Sequence, residues 1–307
     1  MLIISEIDLG PQCNPDLEIH QIKKNELKKY EGRPVTVIIC SRKTAIEAAN
    51  LIFPELILIQ LTSAGFDEVP LDFFTKKGVK VANVSGVYGI TIAETVVFVM
   101  LEIAKKVRNN PENRWPRLTR GYDNFITELY GKTAVILGIG NIGTETAIRL
   151  KGFGIRVIGY ARHKKEASCF DEIITDRQEL LKWLCEADFL ISTLPGNDES
   201  KGFVSSDLIG GLKKTSCFIN VGRRSTIDET ALYKALKEKR IMGAVLDMFE
   251  KLPNPITNKF HRLSNTIVLP GTAAISKETN KRLKEYILFN LQALAKGKES
   301  GIVNREG

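Results

Sequence analysis

The sequence predicts an α/β protein with two parallel-sheet domains, and three observations lead to this fold class. Short apolar runs alternate with helical patterns along most of the 307 residues, as expected for strands joined by helices. Residues 109–130 interrupt this alternation and show little periodicity, which divides the pattern into two series. A chain of this length also has enough residues to bury two cores.

The first series contains three predicted strands and two short predicted helices. The apolar runs are Val35–Cys40, Leu56–Leu61 and Val79–Val84, and the helical segments between them are Thr44–Ile52 and Leu71–Lys77. A longer helix is predicted over Thr91–Val107, with Glu94 in its first turn and basic residues at its end. That order of charges suits the helix dipole, and we expect this helix to connect the two domains.

The second series contains six predicted strands. They are Thr133–Leu137, Arg156–Tyr160, Phe189–Thr193, Cys217–Val221, Gly243–Met248 and Thr266–Leu269. The main helices predicted between them are Asn141–Phe153 and Asp228–Lys239, and a last helix is predicted over Lys277–Lys296. The pattern does not show which sheet this last helix covers, so either domain could receive it.

The composition bears on the class of partner. Hydrophobic residues make up 43% of the chain and charged residues 26%, a balance typical of globular proteins. The net charge is +8, but Lys and Arg are interspersed with Asp and Glu rather than gathered in one tract. We therefore expect no nucleic-acid partner and interpret the positive field as one that attracts small anions.

The cysteines, histidines and apolar stretches exclude further classes. The chain has five cysteines without a CxxC spacing and only three histidines, so we expect reduced thiols and no metal site. The N-terminus lacks the basic region of a signal peptide, and the longest apolar stretch, Thr95–Ala104, is too short to span a membrane. These features predict a cytoplasmic protein without a membrane partner.

Residues 133–143, TAVILGIGNIG, predict a dinucleotide-binding turn. An apolar strand leads into Gly138, Gly140 and Gly143, an amphipathic helix follows, and a second strand comes next. The first glycine permits a tight turn, the second lets the backbone approach a pyrophosphate, and the third lets helix and strand pack closely. The N–H groups at the helix start, which includes Asn141 and Ile142, would then attract the diphosphate. The alternative is a glycine-rich turn without a ligand.

The end of the second strand of this unit bears on the choice of cofactor. NAD sites place Asp or Glu there to bind the ribose hydroxyls, but this sequence has Ala161. Arg162, His163 and Lys164 follow and are expected to bind a 2′-phosphate of the cofactor, with no carboxylate at this place to repel it. The sequence therefore favours NADP(H), with NAD(H) as the alternative cofactor. A solvated basic turn is the alternative without a ligand.

Several motifs in a fixed order resemble those of the D-isomer-specific 2-hydroxyacid dehydrogenases, which include glyoxylate/hydroxypyruvate reductases and phosphoglycerate dehydrogenases. The matching segments are QLTSAGFD (60–67), GVYGITIAET (86–95), GKTAVILGIGNIG (131–143), STLPGNDESKG (192–202), INVGRRSTIDETAL (219–232) and AVLDMFEKLP (244–253). The resemblance implies two Rossmann-like, doubly wound domains, with the cofactor domain inserted in the other. It places a flavodoxin-like, substrate-binding domain at residues 1–95 plus 275–307 and the NAD(P)-binding domain at residues 96–274.

The same resemblance implies an activity and assigns roles to particular residues. The activity is hydride transfer between the cofactor and a small anionic 2-keto or 2-hydroxy acid, in a homodimer formed through the cofactor domain's arm. The backbone N–H groups expected to hold the substrate carboxylate belong to Thr62, Ser63, Ala64 and Gly65. Arg223 matches the catalytic arginine that binds the substrate's carboxylate and carbonyl and stabilises oxyanion character. Asp247 matches the acid at the nicotinamide end of the cofactor, and Leu194 and Pro195 match a cofactor-binding segment.

The sequence departs from the family pattern where the proton is transferred. Gly271 replaces the His that protonates the forming alkoxide, and Leu252 replaces the Glu that orients this His. Arg224 also stands where the family usually has glycine. We therefore expect an oxidoreductase with a non-standard proton donor, and the alternative is a catalytically silent dinucleotide-binding protein that acts as a sensor or scaffold.

The proton donor of such an oxidoreductase stays open at this stage. The candidates are water and the side chains of Tyr88, Thr272 and Lys277. None of the three histidines occupies the family position; they are His20, His163 and His261.

Overall fold

The computed structural model describes residues 1–10, 17–106, 126–164, 166–247, 258–298 and 300–304. These residues divide into two compact units, of which the first contains residues 1–87 and 276–307 and the second contains residues 88–275. The second unit is thus inserted in the chain of the first. The boundaries differ from those predicted after residues 95 and 274, because the helix that begins at Gly89 groups entirely with the second unit.

The first unit is built on a five-stranded, all-parallel sheet. Its strands are β1 (Leu2–Ser5), β2 (Glu18–Gln21), β3 (Val35–Cys40), β4 (Leu58–Leu61) and β5 (Lys80–Ala82). They lie side by side in the order β2-β1-β3-β4-β5. The α-helices of this unit are α1 (Arg42–Ala48), α2 (Leu71–Lys76) and the C-terminal α8 (Lys277–Ala295). This is the strand order of flavodoxin-like folds.

The C-terminal helix packs on the sheet of the first unit. The side-chain amide of Asn290 on α8 donates a hydrogen bond of 2.8 Å to Oε1 of Gln60 on β4, and both residues are buried. The Gln60 amide in turn donates to the carbonyl oxygen of Leu61 at 2.9 Å. Buried amides need such partners, so this pair fixes the helix against the strand. The question that the sequence left open is thereby settled.

The second unit is built on a seven-stranded, all-parallel sheet. Its strands are β6 (Thr133–Leu137), β7 (Arg156–Tyr160), β8 (Glu172–Ile174), β9 (Phe189–Ser192), β10 (Cys217–Asn220), β11 (Gly243–Leu246) and β12 (Thr266–Val268). They lie in the order β12-β11-β10-β9-β6-β7-β8. Its α-helices are α3 (Gly89–Lys105), α4 (Asn141–Lys151), α5 (Arg177–Leu184), α6 (Ser206–Gly211) and α7 (Glu229–Lys237).

The order in which the chain adds strands to this parallel sheet reverses at β6. The chain winds from β6 to β7 and β8 on one side, and then from β9 to β12 on the other. Open parallel sheets bind their ligands outside the carboxyl ends of the strands at this switch point. The segments that leave β6, β7, β9, β10 and β11 all start from that edge, and they carry the candidate cofactor residues.

The predicted fold class is confirmed, although the strand list was incomplete. The predicted bounds of β3, β6 and β7 are the observed ones. Strands β1, β2 and β8 were not predicted; β2 reads EIHQ and lies at a sheet edge, so it presents no apolar run. Of the predicted arm, residues 109–125 lie outside the described residues, and residues 126–130 form no helix or strand.

Candidate functional site

The turn after β6 depends on the absence of a side chain at Gly138. This residue has a φ of +94°, in the left-handed region, and its N–H donates to the carbonyl oxygen of Tyr160 at 2.9 Å. A Cβ atom here would lie 2.8 Å from Oγ1 of Thr193. The Thr193 hydroxyl itself donates to the carbonyl oxygen of Gly138 at 2.9 Å. Both the backbone angle and this close approach therefore call for glycine.

Gly140 and Gly143 differ in what surrounds them. A Cβ atom on Gly143 would overlap the carbonyl oxygen of Gly138, because α4 starts directly against the turn. Gly140, the N-cap of α4, is exposed and has no atom within 4 Å of an added Cβ. The turn is thus closed on the protein side and open on the solvent side. A diphosphate fits this arrangement, since the first N–H groups of a helix have no partner within the helix.

Asn141 and Ile142 form the first turn of α4, where the sequence placed them. The Asn141 side chain lies directly against Gly89 at the start of α3, where an added Cβ would overlap its Oδ1. This contact belongs to the packing of α3 on α4, which also buries Ile92 and Val96 of α3. The close fit fixes the start of α4, and with it the direction of the N–H groups.

The loop after β7 presents its basic residues to solvent. Ala161 continues the sheet by donating its N–H to the carbonyl oxygen of Ile174 at 3.0 Å. Arg162, His163 and Lys164 are exposed. The Arg162 guanidinium forms an ion pair with the carboxylate of Glu199, which comes from the loop after β9. The expectation that no carboxylate lies at this place was therefore wrong, because Glu199 is far from Arg162 in sequence and gives no signal there.

The loop after β9 is a compact turn that contains Leu194 and Pro195. Ser200 is buried, and its hydroxyl lies 2.7 Å from Oδ1 of Asn197 and also bonds the carbonyl oxygen of Pro195. The backbone N–H of Ser200 donates to the same Asn197 oxygen at 3.0 Å. A Cβ on Gly222 would lie 2.8 Å from the backbone nitrogen of Leu194, so the turns after β9 and β10 are in tight contact.

Arg223 follows β10 and is held by its main chain. Its carbonyl oxygen accepts hydrogen bonds from the Asn220 amide at 3.3 Å and from the Thr226 hydroxyl at 2.6 Å. Both donor residues are buried. The Arg223 side chain passes Gly196, where an added Cβ would lie 3.0 Å from its Cγ. The Cβ and Cγ atoms of Arg223 are therefore held near the carboxyl end of β10.

Arg224 has a different environment from its neighbour. Its Nε and Nη2 bind the two carboxylate oxygens of Glu229 in the first turn of α7, with 2.6 Å between Nη2 and Oε2. Such a two-pronged pair stabilises one side-chain direction. The arginine that replaces the usual family glycine thus joins its loop to α7.

Asp247 lies at the end of β11 and is 4% exposed. Its Oδ1 accepts hydrogen bonds from the backbone N–H groups of Thr272 at 3.1 Å and Ala273 at 3.3 Å. Burial raises the pKa of Asp247, and the N–H groups of residues 271–273 oppose that rise. Gly271, at the position of the family's histidine, has a φ of +76°. The buried carboxyl thus holds the loop from which the usual proton donor is missing.

The remaining candidate residues each belong to one of the two units. In the first unit, the loop Thr62–Gly65, which is expected to bind a carboxylate, follows β4. The Ser63 hydroxyl donates to the carbonyl oxygen of Gly65 at 2.7 Å, and the Asn83 amide donates to the carbonyl oxygen of Ala64 at 2.7 Å. Lys277 also lies in the first unit, at the start of α8. Tyr88 precedes α3 in the second unit, and burial raises its pKa. Leu252 lies outside the described residues.

The three histidines have other surroundings. His20 lies on β2 with its Nε2 2.8 Å from a carboxylate oxygen of Glu18, and His163 is exposed beside Arg162. His261 is exposed in a short helix whose Phe260 is buried against Tyr233 of α7. Among the described residues, no group of three or more His, Cys, Asp or Glu is placed to hold a metal ion. The helices of this described part also include none that could span a membrane.

Comparison with known proteins decides the family. The model of the D-isomer specific 2-hydroxyacid dehydrogenase NAD binding domain matches residues 97–273. The chain belongs to this family. A glyoxylate reductase of Korarchaeum cryptofilum is 33% identical over 263 residues, which cover 82% of this chain and 77% of that protein.

Two solved structures of the family support the assignment over nearly the whole length. A family member from Aeromonas salmonicida is 26% identical with a TM-score of 0.83, covering 98% of this chain and 97% of its own. The NADPH-dependent glyoxylate/hydroxypyruvate reductase of Sinorhizobium meliloti, in complex with NADP and malonate, is 25% identical with a TM-score of 0.75, covering 98% and 96%. This chain is therefore an oxidoreductase of the 2-hydroxyacid dehydrogenase family and uses a nicotinamide dinucleotide.

Proposed function

We propose that this dehydrogenase transfers hydride between NADP(H) and a small 2-keto or 2-hydroxy acid. The observation that carries the NADP(H) preference is the end of β7, where Ala161 replaces an acid and the exposed Arg162 follows. A guanidinium binds a phosphate through two parallel hydrogen bonds, whereas NAD sites need a carboxylate at this strand end. The Sinorhizobium relative, solved with NADP and malonate, supports both the cofactor and a small dicarboxylate-sized substrate. NAD(H) is the alternative cofactor.

The residues of the chain divide the remaining work. The nicotinamide, when bound, supplies or accepts the hydride. Gly138, Gly140 and Gly143 admit the diphosphate to the start of α4. Arg223 binds the substrate's carboxylate and carbonyl and stabilises negative charge on the carbonyl oxygen. In the first unit, the backbone N–H groups of Thr62–Gly65 bind a carboxylate.

The proton donor is the step at which this protein differs from its family. Gly271 offers no acid, and its loop is held by Asp247 through the amides of Thr272 and Ala273. We propose that a donor other than histidine supplies the proton, and the candidates are water and the side chains of Tyr88, Thr272 and Lys277. Loss of a positioned general acid costs about 10²–10⁴ in rate, so slow turnover is expected.

Catalytic silence is the second candidate, and it rests on the glycine at position 271. A φ of +76° suits glycine and disfavours histidine, so this loop has the conformation of a chain without the usual acid. On this hypothesis the protein binds dinucleotide as a sensor or scaffold. The two candidates share the cofactor site and differ only in turnover.

Turnover measurements separate the candidates. NADPH oxidation would be followed by absorbance with glyoxylate, hydroxypyruvate and larger 2-keto acids, using the wild type, Arg223→Ala and Arg224→Ala. Arg224 is the matched control because it is the adjacent arginine but binds Glu229. Activity that disappears only in Arg223→Ala supports the enzyme. Cofactor binding without turnover on any acid supports the silent protein.

We also propose a homodimer formed through the second unit. Phe98 on α3 is 63% exposed and Ile148 on α4 is 51% exposed, and these two helices pack against each other. Large apolar side chains on neighbouring helices are typical of a subunit interface. Sedimentation equilibrium of the wild type should give a dimer, and Phe98→Glu should shift it toward the monomer. A wild type that stays monomeric at micromolar concentration excludes this part of the proposal.

A further inference from the structure

We propose that Glu199 is a cofactor-specificity residue, which competes with the 2′-phosphate of NADP(H) for the guanidinium of Arg162. The inference rests on the proposed NADP(H) site and adds a second, opposing group to it. Glu199 belongs to the loop after β9 and pairs with Arg162 in the loop after β7. A ligand phosphate that needs this guanidinium must therefore displace a carboxylate already bound to it.

Contacts of neighbouring residues hold the loop that carries Glu199 in place. Its neighbour Ser200 is 7% exposed and is tied to Asn197 in both directions: its N–H donates to Asn197 Oδ1 at 3.0 Å, and its Oγ accepts from the Asn197 N–H at 3.1 Å. Phe203, at the end of the same turn, packs on Tyr160 with 5.2 Å between the ring centroids. Tyr160 is the last residue of β7, two positions before Arg162. Buried contacts on both sides of Glu199 thus hold its loop against the end of β7.

The charges explain how Glu199 changes selectivity. A phosphate monoester carries about −1.5 to −2 at neutral pH, so a carboxylate beside it is repulsive, and an arginine beside it is attractive. The 2′-hydroxyl of NAD(H) has no charge and does not require the guanidinium. Glu199 should therefore weaken the binding of NADP(H) and leave that of NAD(H) nearly unchanged. This makes the preference for NADP(H) smaller than Arg162 alone would produce.

The size of the effect follows from the exposure of the pair. Arg162 is 59% exposed and Glu199 64% exposed, so solvent screens their attraction. Exposed ion pairs are worth up to about 1 kcal/mol, which corresponds to about a fivefold change in affinity. Removing the competing carboxylate should tighten NADPH binding by about three- to fivefold, and the gain should shrink at high salt.

Asp198 supplies a matched control. It is the adjacent carboxylate in the same exposed turn, and it forms no ion pair with any residue that the structure describes. Asp198→Asn changes the net charge by the same amount as Glu199→Gln. A general effect of charge would appear in both variants, whereas competition for Arg162 would appear only in Glu199→Gln.

The test is calorimetric titration of NADPH and NADH into the wild type, Glu199→Gln, Asp198→Asn, Arg162→Ala and the Arg162→Ala/Glu199→Gln double variant. We expect Glu199→Gln to tighten NADPH binding about three- to fivefold. NADH should bind as before, Asp198→Asn should have a smaller effect, and the gain should vanish in the Arg162→Ala background. If Arg162→Ala weakens NADPH binding but Glu199→Gln does not tighten it, or Asp198→Asn tightens it equally, the inference about Glu199 is wrong. If Arg162→Ala leaves NADPH binding unchanged, the proposed NADP(H) site is what fails.

Discussion

The Oδ1 of Asp247 accepts a hydrogen bond of 3.1 Å from the backbone N–H of Thr272, so one buried carboxyl connects the end of β11 to the loop that contains Gly271. In this family, that loop carries the proton-donating histidine. Here the loop keeps its attachment although the histidine is absent. Asp247 therefore holds this loop in place without the histidine.

The ionisation of Asp247 should make stability depend on pH. Burial raises its pKa above the ordinary value of 3.8, so the folded protein binds this proton more tightly than the unfolded chain does. Stability from this group is present below the unfolded pKa and is lost as the pH rises through the folded pKa. The free energy of unfolding of the wild type should therefore decrease as the pH rises above about 4, and Asp247→Asn should abolish this decrease. Urea unfolding of both proteins between pH 4 and 8 measures this pH dependence. Parallel pH profiles of the wild type and the variant would show that Asp247 does not cause it.

The backbone of Gly271 should penalise any side chain. Its φ of +76° lies in the left-handed region, which costs other residues about 1–2 kcal/mol. Gly271→Ala and Gly271→His should both lower the free energy of unfolding by about this amount. Gly210→Ala is the control, because Gly210 is in α6 and its added Cβ has only Arg240 Nη2, at 3.9 Å, nearby. Equal stability of Gly271→Ala and the wild type in urea would show that the loop tolerates a side chain.

Gly143 and Gly140 should fail for different reasons when replaced by alanine. A Cβ on Gly143 overlaps the Gly138 carbonyl oxygen, so Gly143→Ala should lower the free energy of unfolding by about 1–3 kcal/mol. A Cβ on Gly140 meets no atom within 4 Å, so Gly140→Ala should fold normally but weaken dinucleotide binding. Thermal unfolding without nucleotide and titration with NADPH distinguish the two defects. Unimpaired NADPH binding by Gly140→Ala would place the diphosphate elsewhere.

The support of Arg223 should be separable from its charge. Asn220 and Thr226 are buried, and both bond the Arg223 carbonyl oxygen. Thr226→Val removes one of these bonds but keeps the guanidinium, so kcat with a 2-keto acid should fall by about tenfold while Arg223→Ala loses far more. NADPH affinity, measured separately, should stay within about twofold of the wild type. A Thr226→Val variant with full activity would show that this bond does not position Arg223.

Local sequence patterns predicted the fold and the glycine turn well. The strands before and after the turn, Thr133–Leu137 and Arg156–Tyr160, have their predicted bounds because buried parallel strands read as continuous apolar runs. The edge strand Glu18–Gln21 was missed because its residues are mostly polar. The side on which the last helix packs involves a buried contact between Asn290 and Gln60, which no sequence pattern displays.

The electrostatics of the site could be predicted only in part. Arg162 was visible because it follows a strand of the dinucleotide motif, whereas Glu199 belongs to another loop and reaches it only through the fold. The positive φ of Gly271 was equally hidden, since glycine is compatible with most backbone conformations. The roles of Arg223 and of the Thr62–Gly65 loop came from the family resemblance and remain proposals.

The most direct test of the cofactor assignment is a calorimetric titration of NADPH and NADH into the wild-type protein, repeated with Arg162→Ala and with Lys237→Ala as control, since Lys237 is an exposed lysine at the C-terminal end of α7. We expect NADPH to bind more tightly than NADH. Arg162→Ala should weaken NADPH binding by about 10- to 100-fold, as expected for lost hydrogen bonds to a charged group. Lys237→Ala should have a much smaller effect. Binding of neither nucleotide at millimolar concentration, or tighter binding of NADH than of NADPH, would contradict the assignment.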